Sequence, residues 1–94
     1  MMAVLTDSEI QAALGSLSGW QRNGLAIQRV FRFADFKEAM KFVNKIADAA
    51  EQANHHPDID IRYKTVTMAL VSHDSGGVTQ RDVRMAGIIN GIAG

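Results

Sequence analysis

The chain contains no cysteine, a single proline, few aromatic residues and no net charge. Without a thiol there can be no disulfide, no thiolate zinc site and no cysteine nucleophile, and a reducing compartment is the natural setting. Ten basic residues balance ten acidic ones and neither sign forms a long block. That excludes the electrostatic footprint on which sequence-independent nucleic-acid binding depends. No apolar run approaches the roughly 20 residues needed to cross a bilayer. The opening stretch MMAVLTDSEI also lacks the charged-then-apolar layout of a signal peptide. The expectation is a cytoplasmic protein that engages neither DNA nor a membrane.

What is present is the composition of an ordinary globular protein, 47% hydrophobic and 21% charged over 94 residues. A chain of this size can bury one core but not two, so residues 1–94 are expected to form a single domain. Thr6 with Glu9 is a capping box before Ile10, Ala13, Leu14 and Leu17, which predicts a short helix ending near Gly15. Asn23-Gly24 is a hairpin dipeptide, and Leu25, Ile27, Val30, Phe31 and Phe33 read as strand, their alternation slipping at Gln28 to Val30 as a bulge would make it. Asp35 and Glu38 open a second helix with a continuous apolar stripe from Phe36 to Ala50, stopped near Asn54 by the approach of Pro57. Ile59, Ile61 and Tyr63, then Val66, Met68, Leu70 and Ser72, alternate as two strands or one bent one. Thr79 and Asp82 cap a last helix. The order α-β-β-α-β-β-α lacks the rhythm of a parallel sheet and predicts an α+β fold, a four-stranded antiparallel sheet with three helices on one face.

All three histidines, His55, His56 and His73, fall within one window at element ends, where binding groups tend to collect. Glu51 lies four residues before His55 and shares its face if the helix persists that far, Tyr63 follows on the next strand, and Asp82 sits in the first turn of the last helix. Structural roles are open to each: a histidine as a dipole partner, Tyr63 as a core strand residue, Asp82 as a cap. A zinc site is disfavoured, because adjacent histidines diverge on helix or strand and chelating spacings are wider. No serine stands in a nucleophile elbow. Proton transfer by histidine remains.

Glu51-x3-His55-His56-Pro57-x5-Tyr63-x9-His73-x8-Asp82 resembles the signature of the pterin-4a-carbinolamine dehydratases. The segments at Gly19-Trp20, Phe31 to Val43 and Thr79 to Ala86 extend the likeness over nearly the whole chain. The resemblance implies dehydration of a 4a-hydroxytetrahydropterin to the quinonoid dihydropterin, the recycling step that follows aromatic amino-acid hydroxylation. It implies His55, His56, His73 and Asp82 as catalytic residues, and Glu51, Trp20, Tyr63 and Ser72 on the substrate side, with Glu51 orienting His55. No metal or organic cofactor is expected. The expected partners are the small pterin itself, a second copy in a homodimer or homotetramer, and an aromatic amino-acid hydroxylase of the same pathway. A different role is also implied by the resemblance, that of a protein-interaction module serving as dimerisation cofactor of a transcription factor. The apolar residues Met85, Ile88, Ile89 and Ile92 of the last helix would supply its surface.

Overall fold

A computed structural model describes residues 3–94; Met1 and Met2, the start of the stretch read for a leader, lie outside them. The elements run α1 (Asp7–Leu14), β1 (Gln21–Asn23), β2 (Ala26–Arg32), α2 (Phe36–Ala53), β3 (Asp58–Arg62), β4 (Thr65–Leu70) and α3 (Gln80–Ala93). This is the expected α+β order. The four strands form one antiparallel sheet ordered β1-β2-β4-β3.

Side chains alternate across a strand, so the register Ile27↔Leu70, Arg29↔Met68 and Phe31↔Val66 sends these residues to one face. All but Arg29 are buried there. The helices cover that face with Ile10 from α1, Ala39, Phe42, Val43, Ile46 and Ala50 from α2, and Met85, Ala86 and Ile89 from α3. Val30 points to the opposite face and is exposed. Truncating a fully buried residue such as Ile46 or Ile89 to alanine removes apolar area from this single core and costs about 2–5 kcal/mol.

Three local readings differ from the structure. The first hairpin turns on Gly24-Leu25, since Asn23 already pairs with Ala26. Only Gly24 takes a positive φ, as in the turn that puts glycine at its first central position. Leu25 is therefore an exposed turn residue and not strand. The expected bulge is absent: β2 pairs with β4 without a break from Ile27 to Arg32, and the apparent slip arises because Arg29 occupies an inward position. Its guanidinium lies over the Phe31 ring and donates to Asn90, which is how a charged residue is accommodated there. Tyr63, read as strand, sits in the β3–β4 turn at φ 54° and is exposed.

Candidate active site

The site is built where α2 ends and α3 begins. Asn54 closes α2 in the left-handed conformation, φ 51°, so the chain turns away three residues before Pro57. That turn releases His55 toward α3. Its Nε2 lies 2.6 Å from Oδ1 of Asp82, with the imidazole 12% exposed and the carboxylate wholly buried. Oδ2 of the same carboxylate accepts from the Thr79 amide at 2.8 Å and from Ser72 Oγ at 2.9 Å. Thr79 Oγ1, 2.8 Å from Ser72 Oγ, completes a buried chain Thr79–Ser72–Asp82–His55. Asp82 thus closes the capping box of α3 with one oxygen and holds His55 with the other. A buried carboxylate is tolerable because three donors compensate its charge, and removing one partner strands the rest.

The tautomer of His55 follows from this chain. A carboxylate can only accept, so Nε2 carries the proton, and in the neutral form of the ring the lone pair lies on Nδ1. His56 adopts the same arrangement through a different partner: its Nε2 meets Oε2 of Glu51, with both side chains largely exposed. The expected pairing of Glu51 with His55 is thereby corrected. Asn54 ends the helix before the i, i+4 geometry reaches His55, and the turn brings His56 back over Glu51 instead.

His73 stands exposed in the turn after Ser72 and has no hydrogen-bonding partner among the described residues. Both of its neighbours are tied to α3: Ser72 through Asp82, and Asp74 through Arg81, whose Nη2 lies 2.5 Å from Oδ1. The Arg81 guanidinium beside Asp74 holds that carboxyl below its ordinary value. Trp20 and Tyr63 are not brought into the cluster. The buried Trp20 donates from Nε1 to Asn90 at 2.7 Å, and eight residues of helix, about 12 Å, separate Asn90 from Asp82. Trp20, Arg29 and the Ser18 carbonyl form a separate polar knot on Asn90.

A cleft of about 160 Å³ opens beside His55, lined also by Ala53, Arg81, Arg84, Met85 and Ile88. Sequence reading missed both arginines, although their i, i+3 spacing on α3 sets them on one helix face. It also assigned Thr79 only to capping. No grouping of three or more histidine, aspartate or glutamate side chains that could hold a metal ion occurs among the described residues. No helix among them is long and apolar enough to cross a membrane.

Comparison with known proteins places this geometry in context. Residues 3–92 match the family model described as pterin 4 alpha carbinolamine dehydratase. A protein of Koribacter versatilis (strain Ellin345), provisionally named pterin-4-alpha-carbinolamine dehydratase, is 65% identical over 92 residues, covering 98% of each chain. One of the same provisional name from Mycobacterium avium (strain 104) is 54% identical over 99% of each. Among solved structures, a transcriptional coactivator/pterin dehydratase from Brucella melitensis superimposes with a TM-score of 0.93 at 42% identity, covering 97% of this chain and 99% of that one. A pterin dehydratase-like protein identified as a RuBisCO assembly factor in the alpha-carboxysome shares the fold, with a TM-score of 0.65 at 20% identity over 80% of this chain and 87% of that one.

Proposed function

Because this chain belongs to the pterin-4a-carbinolamine dehydratase family, we propose that it removes water from a 4a-hydroxytetrahydropterin to give the quinonoid dihydropterin. The observation that carries this reading is the His55–Asp82–Ser72 chain at the mouth of a cleft. In the dehydration the C4a–O bond breaks as the hydroxyl takes a proton from an acid and leaves as water, driven by the lone pair of N5. The proton on N5 then passes to a base, so one proton enters, one leaves, and the oxidation level is unchanged. Acid and base come from His55, His56 and His73, two of which present Nδ1 while a carboxylate holds Nε2. Asp82 positions His55, Glu51 positions His56, and Ser72 steadies Asp82. Trp20 and Tyr63 act outside this cluster.

The same reading makes the protein a recycler of the pterin used by aromatic amino-acid hydroxylases, and the lack of cysteine suits a cytoplasmic setting. It also includes self-assembly. Strand β3 is an edge strand exposed along its whole length, with Ile59 and Ile61 each 38% exposed. Unpaired backbone groups on such an edge favour a second copy. The alternative role as an interaction module through α3 loses local support, because Met85 and Ile89 are buried in the chain's own core and only Ile88 remains well exposed.

The reading is tested by following a synthetic 4a-hydroxytetrahydropterin by stopped-flow absorbance, with and without the protein and in the presence of a chelator. Acceleration that survives the chelator is expected. A rate equal to that in buffer, or one abolished by the chelator and restored by zinc, would overturn it.

A further inference from the structure

The cleft beside His55 holds more positive charge than histidine acid-base chemistry uses. Arg84, exposed at its rim, has no carboxylate partner among the described residues. Arg81 lines the same cleft and gives Nη2 to Asp74 and Ser75, yet its Nε is the one buried side-chain nitrogen or oxygen without a hydrogen-bond partner among the described residues. A guanidinium offers donors in a rigid fork suited to phosphate and carboxylate, and a buried donor left without an acceptor is an unusual feature in a folded protein. Ala53, Met85 and Ile88 form the apolar remainder of the lining. Pockets that enclose a whole small molecule measure about 300–1,000 Å³. At about 160 Å³ this cleft accepts part of a ligand, such as a charged group on a short stem, and not a bicyclic ring together with its side chain.

We propose that the cleft between the end of α2 and the first turns of α3 is a subsite for an anionic group, phosphate or carboxylate, on the side chain of the pterin substrate. The proposal rests on the dehydratase reading: the ring would lie at the histidines while the side chain reaches Arg81 and Arg84. Arg84 supplies an unpaired charge at the rim, and Arg81 adds a second guanidinium to the same lining.

Equilibrium binding of 7,8-dihydroneopterin and of its 3′-monophosphate, measured by fluorescence or calorimetry, tests this directly, because the two differ only in the phosphate. The wild-type protein should bind the phosphate ester about tenfold or more tightly than the neutral compound, and the preference should shrink with added salt. In the Arg84→Glu variant the ratio should collapse or invert; Arg84→Gln should give an intermediate value. Pterin-6-carboxylate forms a second arm, and its preference over 6-methylpterin separates a carboxylate site from a phosphate site. Equal affinities within both pairs for the wild-type protein, or a preference unchanged in Arg84→Glu, would overturn the subsite. A protein that dehydrates neutral carbinolamines without any anionic preference defeats this inference alone. A protein that neither dehydrates nor binds any of these pterins defeats it together with the functional reading.

Discussion

Replacing Asp82 with asparagine changes one atom of the buried chain and should separate catalysis from folding. The side chain is wholly buried, and Oδ2 must keep accepting from the Thr79 amide and from Ser72 if α3 is to stay capped. The asparagine oxygen therefore takes that side, and its amide nitrogen faces Nε2 of His55, 2.6 Å away in the wild-type protein. Two N–H donors cannot meet at that distance, so the imidazole moves its proton to Nδ1 and loses the lone pair of that atom. A bond to a charged group contributes about 1.5–3 kcal/mol and a neutral one about 0.5–1.5, so the exchange costs about 1–1.5 kcal/mol. In a domain of this size each kcal/mol lowers Tm by about 4–8 °C. The variant should thus remain folded with a Tm reduced by about 4–12 °C, while kcat falls about 10²–10⁴-fold, the range of a lost general acid or base. Thermal unfolding, stopped-flow dehydration and the ¹⁵N shifts of the His55 ring measure the three effects. A folded variant with kcat within about threefold of wild type would refute the role of Asp82 in setting the tautomer.

Ser72→Ala removes one donor to Asp82 and leaves Thr79 Oγ1 without its buried partner, so we expect a stability loss of about 1–3 kcal/mol by denaturant titration and a smaller loss of kcat than in Asp82→Asn. Asp74 is held below its ordinary carboxyl value by Arg81, so the folded state binds its proton less readily than the unfolded chain. The stabilisation from this pair is present above the usual carboxylate range and is lost as pH falls through the depressed folded value. Asp74→Asn should accordingly lose less stability than wild type between about pH 5 and pH 2, with the difference diminished at high salt; parallel acid limbs would contradict this. If β3 pairs with its copy, sedimentation of the wild-type protein at micromolar concentration should give at least a dimer, and a proline at Ile61 should shift it toward monomer. A wild-type monomer would defeat the assembly proposal and leave the chemistry untouched.

The elements were legible wherever the signal was local. Both capping boxes, at Thr6–Glu9 and Thr79–Asp82, appear as read, and the apolar stripe of α2 is the buried stripe of the structure. Reading failed where a long-range partner decides. Arg29 points inward because Asn90, distant in sequence, and the Phe31 ring on its own strand satisfy it, and the apolar pattern around it therefore seems to slip. Tyr63 continues a strand-like pattern, but the two-residue turn between β3 and β4 takes it up. The pairing of Glu51 was misplaced by a single residue, because whether asparagine turns left-handed at a helix end is settled by the packing beyond it. The histidines and Asp82 stood out by chemistry, whereas Ser72 and Thr79 as supports of Asp82 emerge only when β4 and α3 are brought together.

The most direct measurement is the single-turnover rate of 4a-hydroxytetrahydropterin dehydration by the wild-type protein beside a His55→Ala/His56→Ala variant verified as folded by circular dichroism. The account predicts acceleration over buffer by the wild type of about 10² or more and a double variant close to the buffer rate. A double variant as fast as the wild type would place the chemistry elsewhere and contradict the account.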